Sequence, residues 1–285
     1  MAVARRSLGE KRVGHAGTLD PFATGLLVLL AGRATRLMRF VQDEPKVYDA
    51  VLRFGTETDT EDLNGSVVRE SPLPTVAALQ TAASQFIGEG WQVPPSYSAK
   101  RVDGKRAYEL ARAGGTVTQN PVRIVVHSLA LSDYEGSPGA VDRCRVQVSC
   151  AGGTYVRSLG RDLARAAGSA GHLVALRRLE AGIFSVSRAV SLERLQGGDI
   201  DLESPLAALA GYPRQDLTTE ELRKVVRGID VEARTEGKYA ALVDADVYGG
   251  EGTLVAFAER RRAEQGERWQ PRVVMRQPMT GDDEQ

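Results

Sequence analysis

The chain has 285 residues, 42% of them hydrophobic and 26% charged, and its 37 lysines and arginines balance 37 aspartates and glutamates. That length supports one large domain, or a large and a small one, each with a buried core, and the composition fits a folded enzyme. The longest wholly apolar run, Leu26 to Ala31, is too short to span a bilayer, and MAVARRSLGE has basic residues with no apolar stretch behind them, so the expectation is an unanchored cytoplasmic protein.

The first stretch of interest is KRVGHAGTLDPFATG, residues 11 to 25, with one histidine and one aspartate among glycines and a proline. Gly14 and Gly17 allow close backbone approach, and Pro21 biases Asp20 toward an extended conformation, so the stretch reads as a loop that can bring a ligand against the backbone. On general grounds Asp20 also suits a turn or cap, and His15 a loop surface. KVYDAVLRFG then reads as a strand, TETDTEDLNG as a polar turn, and SVVRE as the returning strand of a hairpin. The acidic turn is not a calcium loop, because the closing glutamate of an EF-hand is missing and the oxygen ligands are out of step. TVAALQTAASQFIGEG has helical spacing at Val76, Leu79, Ala83, Phe86 and Ile87, and GKRAYELARAGG reads as a second short helix closed by Gly114 and Gly115.

In RCRVQVSC, Cys144, Val146, Val148 and Cys150 alternate with polar residues as a half-buried strand would. Such a strand separates the two cysteine Cα atoms by roughly 20 Å, beyond the ~7 Å limit of a disulfide, so both are expected as core thiols. AGGTYVRSLGRDLARAAG turns from a glycine corner into a helix with Leu159 and Leu163 on one face and Arg157, Arg161 and Arg165 on another. HLVALRRLEAGIFSV runs through an apolar patch to another glycine break. His15, His127 and His172 are too scattered for a metal site, no Cys/His pair has zinc spacing, and no metal is expected. Gly211 and Pro213 punctuate the chain, and the short strands beyond them predict a small β-rich domain over residues 212–280, with a disordered acidic tail at 281–285.

Charge is segregated along the chain. From Arg143 to Arg188 eight arginines face only Asp162 and Glu180, and from Lys100 to Arg123 six basic residues face Asp103 and Glu109. Acidic residues collect in 43–70 and toward the C-terminus. Such segregation can give a neutral protein a basic face for a phosphate backbone, or it can be solvated surface.

The string VGHAGTLDPFATGLLVLLAGRATRL closely resembles the catalytic motif of the TruB family of pseudouridine synthases. The resemblance continues in order through KVYDAVLRFGTETDTEDLNG, PPSYSAKRVDGKRAYELAR, GGTYVRSLGRDL and GHLVALRRLEAGIFSV, and covers roughly residues 11 to 195. It implies an α+β pseudouridine synthase catalytic domain with a mixed, mainly antiparallel sheet over residues 1–211. More weakly, it implies a PUA-like RNA-binding domain over residues 212–280. The implied activity is isomerisation of uridine to pseudouridine at position 55 in the T loop of tRNA, after the target base is flipped out of the stack.

Asp20 matches the family's catalytic aspartate, as nucleophile at the sugar or as base on a sugar proton. Arg157 matches the arginine that pairs with it, Tyr48 the tyrosine that stacks on the target base, and Tyr155 and Leu176 the lining of the uracil pocket. His15 matches the histidine that contacts RNA where the target nucleotide leaves the stack. The resemblance implies no cofactor, no protein partner and no membrane, only the tRNA T stem-loop bound by a monomer. In one place the chain departs from the pattern. The family begins with a strand and a KPxGxTS segment well before the glycine-histidine motif, and only ten residues precede Lys11 here, so that strand is expected to be missing. Two alternatives accompany this reading: a tRNA-binding folding aid with lost or incidental isomerase activity, and a guide-RNA-dependent relative. PFATGLLVL and the acidic hairpin look more like the stand-alone bacterial branch.

Overall fold

The alternating run KVYDAVLRF forms strand β4 (Lys46–Phe54), with Tyr48, Ala50, Leu52 and Phe54 buried on one face. A central strand of this kind needs partners on both edges and a layer over its apolar face. It lies between β11 (Ala140–Cys150) and β12 (Gly171–Ala181), antiparallel to each. Strand β10 (Val122–Ser137) and the edge strand β7 (Gly88–Gln92) extend the sheet beyond β11, and β13 (Phe184–Ser185) extends it beyond β12. The short β2 (Thr24–Gly25) runs parallel to β12 and completes the seven-stranded sheet.

The computed structural model describes all residues except 42–43, 97–100, 103–104, 107–118, 199, 246–251, 265 and 277–285. The chain divides into two compact units: 19–26 with 43–189, and 1–18 with 27–42 and 190–285. The sheet above belongs to the first unit. Helix α3 (Val156–Ala166) covers its apolar face with Leu159 and Leu163. Gly160 permits the close approach, since a Cβ there would stand 3.1 Å from side-chain atoms of both Leu52 and Leu173. Helix α2 (Val76–Ser84), capped by the Thr75 hydroxyl on the Ala78 N–H, adds Leu79, Ala82 and Ala83 to the same core. Cys144, Val146, Val148 and Cys150 are buried as the alternation requires, and both thiols are free.

Two elements of this unit differ from the sequence expectation. The returning strand, β6 (Val67–Glu70), pairs with a separate β5 (Thr56–Thr58) and not with β4. Both edges of β4 are already occupied, and Gly55, at φ +90°, redirects the chain before β5 begins. The helix expected to run to Gly90 ends at Ser84, because residues 88–92 are extended and pair with β10. Strands β8 (Arg101–Val102) and β9 (Lys105–Arg106) pair with each other, and the rest of the helix expected over GKRAYELARAGG lies outside the described residues.

In the second unit, helix α1 (Ala2–Ser7) is joined to helix α4 (Leu192–Gly197) by the Ser7 hydroxyl donating to the Leu195 carbonyl. Strand β1 (Val13–Ala16) pairs with β3 (Val28–Ala31), and a 3-10 helix follows over Gly32–Phe40. A five-stranded sheet contains β14 (Arg214–Asp216), β15 (Val231–Glu232), β16 (Tyr239–Asp244), β17 (Thr253–Ala263) and β18 (Gly266–Val274) in the order β14-β16-β17-β18-β15. Helix α5 (Thr219–Val225) opens with a capping box between Thr218 and Glu221 and buries Val225 in a core with Leu242, Val255 and Trp269. Phe40 packs its ring 4.6 Å from Phe257 and 5.4 Å from Tyr239, and Arg33 donates to the Met275 carbonyl at 2.8 Å. This unit therefore draws on both ends of the chain, and its limits do not follow residue 211. Parallel β2–β12 and β14–β16 pairs among otherwise antiparallel ladders give a mixed, mainly antiparallel α+β architecture.

Candidate active site

The loop that carries Asp20 is held by its backbone. Its first turn closes with the Ala23 N–H on the Asp20 carbonyl at 2.9 Å. Thr24 and Gly25 then pair with Arg177 and Arg178 of β12, and the Leu26 N–H reaches the Arg178 carbonyl at 2.9 Å. Gly25 is required here: its φ is +93°, and a Cβ would lie 2.2 Å from the Arg178 carbonyl oxygen. Phe22 and Ala23 pack against the core. The loop thus displays Asp20 from a fixed base, with its side chain 30% exposed.

Opposite it, at the start of α3, the Arg157 side chain is only 4% exposed. Its Nε donates to Asp20 Oδ2 at 2.9 Å and its Nη2 to Oδ1 at 2.7 Å, a two-pronged grip on both carboxylate oxygens. Nη1 donates to the Thr60 carbonyl at 2.8 Å and lies 3.7 Å from Asp62 Oδ2. Asp62 is itself fixed, accepting from the Thr60 hydroxyl at 2.8 Å and the Asn64 N–H at 2.9 Å. The guanidinium therefore bridges the Asp20 loop and the acidic hairpin.

Tyr48 stands on the inner face of β4, directly across from Arg178 of β12. Burial pushes its phenol above the ordinary range. The Arg178 guanidinium pulls it back, and the Asp20 charge adds to the rise. Tyr155 is half-buried at the N-cap of α3. Gln92 fixes its backbone from both sides, with the Tyr155 N–H on Gln92 Oε1 at 2.9 Å and Gln92 Nε2 on the Tyr155 carbonyl at 3.1 Å. Leu176 is buried across from Ala50. The first unit thus pairs Asp20 with Arg157 and sets Tyr48 within reach of the Asp20 charge, while Leu176 lies on β12 and Tyr155 at the N-cap of α3. His15 sits on β1 of the second unit, across from Leu29, with its Nδ1 buried and without a hydrogen-bond partner among the described residues.

The arginine stripe of α3 is not a solvated basic face. Arg157 and Arg161 are buried, and all three stripe residues meet carboxylates of the hairpin segment 57–62 or of the Asp20 loop. Arg161 bonds Glu61 and also Asp162 (2.8 Å) and the Val93 carbonyl (3.1 Å), while Arg165 holds Glu57 through Nε at 2.9 Å. Ser158 donates to Glu61 Oε2 at 2.6 Å. Burial pushes the Glu61 carboxyl above its ordinary value, against the pull of Arg161 and Ser158. The spacing of 157, 161 and 165 places three guanidinia one above another, and the acidic hairpin answers them in reverse order.

Sequence reasoning missed Arg178, Gln92 and Asp62. Arg178 had one available signal: in a strand whose Leu176 faces inward, the second arginine of the RR pair faces inward too. A cleft of about 470 Å³ is lined by Phe22, Thr24 and Leu176 together with Asp49, Arg145 and Arg177, and neither Asp20, Tyr48, Tyr155 nor Arg157 borders it. The carboxylate, its guanidinium and a buried phenol have the chemistry of a site that attacks carbon or moves a proton.

Residues 5–156 match the family described as TruB family pseudouridylate synthase (N terminal domain). A tRNA pseudouridine synthase B from Novosphingobium aromaticivorans is 43% identical over 240 residues, covering 80% of this chain and 79% of that protein. One of the same name from Ralstonia pickettii is 40% identical over 266 residues, covering 90% and 81%. Among solved structures, an H/ACA RNP bound to a substrate RNA containing 2'-deoxyuridine holds a chain that aligns with a TM-score of 0.66, 18% identity and coverage of 99% of this chain and 80% of that one, a likeness of fold.

Proposed function

The chain belongs to the TruB family of pseudouridine synthases, and from that premise we propose that it acts on position 55 in the T loop of tRNA, with Asp20 as the reacting carboxylate. It is an isomerase that converts uridine to pseudouridine in tRNA. The reaction breaks N1–C1′, turns the uracil and joins C5 to C1′. The C5 proton leaves and N1 takes one up, so no atom is gained or lost.

One observation carries the assignment of Asp20. It is a partly open carboxylate on a backbone-clamped loop, and a buried guanidinium holds both of its oxygens. Held in that way, Asp20 adds to C1′ as a nucleophile or removes the C2′ proton as a base, and a deuterium isotope effect at C2′ separates the two roles. Tyr48 meets the flipped base with its ring, Tyr155 and Leu176 line the uracil pocket, and His15 contacts the RNA where the nucleotide leaves the stack. The strands of residues 212–280 serve as a PUA-like RNA-binding part. The enzyme acts as a cytoplasmic monomer without guide RNA or protein partner, a reading supported by its likeness to bacterial synthases named for tRNA alone. Among the described residues no helix is long and apolar enough to cross a membrane.

The test is incubation with unmodified tRNA transcript followed by mapping of pseudouridine, with Asp20→Asn alongside. Asparagine keeps the size and much of the bonding shape of aspartate but offers no carboxylate. Product at position 55 with wild type, none with Asp20→Asn, and equal tRNA affinity are expected. Product from Asp20→Asn at the wild-type rate would refute the assignment. Binding without product from wild type would favour the folding aid.

A further inference from the structure

Arg178 is fully buried, and the reading above gives it no role. Its Nε donates to the Leu26 carbonyl at 2.8 Å, while its own carbonyl accepts from the Leu26 N–H at 2.9 Å. Main chain and side chain of one residue thus hold the residue that ends the Asp20 loop. The same side chain lies directly across the ladder from Tyr48, which is itself buried. A lysine in this place could carry the charge, but not a rigid fork of donors that bonds the Leu26 carbonyl and still has N–H groups left for a second partner.

We infer that Arg178 is a positioning residue for the isomerisation: by bonding the Leu26 carbonyl and the Tyr48 hydroxyl at once, it fixes the ring that meets the target base relative to the loop that carries the carboxylate. This rests on the reading of Asp20 and Tyr48 given above. A guanidinium held on the Leu26 carbonyl and donating across the ladder to the phenol oxygen ties the ring to the end of the loop. An arginine that served the fold alone would change melting temperature and leave the chemical step of the folded fraction untouched. One that positions the ring changes the chemical step, and its effect requires the Tyr48 hydroxyl.

The experiment is a double-mutant cycle in single-turnover kinetics, with wild type, Arg178→Lys, Tyr48→Phe and the double variant, and with tRNA affinity and melting temperature measured for each. Arg178→Lys is expected to slow the chemical step by at least about 30-fold with affinity within about threefold, the signature of lost orientation. In the Tyr48→Phe background the same change should cost less than about threefold, since the partner is already gone. Equal losses in the two backgrounds, or a loss confined to affinity or melting temperature, overturn the inference. Should Arg178→Lys not fold, Tyr48→Phe decides alone, because it leaves the buried guanidinium in place. A fall of about tenfold or more in its chemical step supports the inference, and a wild-type rate overturns it. Asp20→Asn separates the two levels. If it keeps the wild-type rate, the site reading fails and the inference with it; if it is inactive while the cycle is additive, the inference alone fails.

Discussion

Replacing Arg157 with lysine is the sharpest perturbation of the carboxylate clamp. Arginine gives two donors to Asp20, at 2.7 and 2.9 Å, and a third to the Thr60 carbonyl at 2.8 Å. A lysine ammonium keeps the charge but reaches Asp20 as a point, so one of the two bonds to the carboxylate and the bond to Thr60 are lost together. Hydrogen bonds to charged groups are worth about 1.5–3 kcal/mol each. The Arg157 side chain is 4% exposed and that of Asp20 30%, so solvent screening removes little of this. If the lost bonds hold the reacting geometry, the barrier rises by about 3–6 kcal/mol, which slows the chemical step on the order of 10²–10⁴-fold. Tritium release from tRNA transcript labelled at uridine C5, under single-turnover conditions, reads that step directly. Filter binding of the same transcript should change by less than about threefold, because the pair positions a reacting group and carries no RNA phosphate. A folded Arg157→Lys protein with a chemical step within tenfold of wild type would show that the two-pronged grip is not needed.

Three further outcomes follow from the geometry. Arg161→Met leaves Glu61 buried without its guanidinium, and with these side chains 9% and 7% exposed it should lower stability by about 3–5 kcal/mol in urea unfolding, while the salt slope of tRNA binding stays the same. A stability loss below about 1 kcal/mol, the surface-pair range, would contradict that burial. Gly25→Ala forces a Cβ to within 2.2 Å of the Arg178 carbonyl oxygen at a φ of +93°, so the loop must leave β12 and pseudouridine formation should fall at least about tenfold; unchanged turnover would show that the clamp is dispensable. Burial pushes the Cys144 thiol up to about 12 and Cys150 to about 11. Both folded values lie above the unfolded ones, so thiolate forms only at higher pH than in the unfolded chain, and a disulfide reagent at pH 8 should label neither thiol until denaturant is added; fast labelling of folded protein would contradict the burial.

What could be read in advance follows the range of the interactions involved. Period-two alternation placed Cys144 and Val148 in the core, because the pleat alone decides which way a side chain points. Helical period put Leu159 and Leu163 on the core side of α3. The same period grouped Arg157, Arg161 and Arg165, but it could not say what they face. Their partners Glu57, Glu61 and Asp62 lie some hundred residues away in sequence, and a charged stripe looks the same whether water or a carboxylate hairpin answers it. The pairing of β6 was misjudged for a related reason: local polarity predicts a turn, but only the occupied edges of β4 exclude it as the partner. The clamp on Asp20 was legible through the resemblance of its motif, whereas the placing of Arg178 on Leu26 and across from Tyr48 emerges only when the strands meet.

The grouping of residues 1–18 and 27–42 with 190–285 has a consequence for synthesis on the ribosome. Domains tend to form in the order in which they leave the exit tunnel. Here Phe40 waits for Tyr239 and Phe257, and Arg33 for the Met275 carbonyl, partners translated some two hundred residues later. Asp20 and Arg157 can meet once α3 has emerged, but the segments on either side of the Asp20 loop reach their final packing only when β17 and β18 are complete. The last strands are therefore no detachable cassette. A nascent chain halted before Phe257 would carry the Asp20 loop between two flanks that still lack their packing partners.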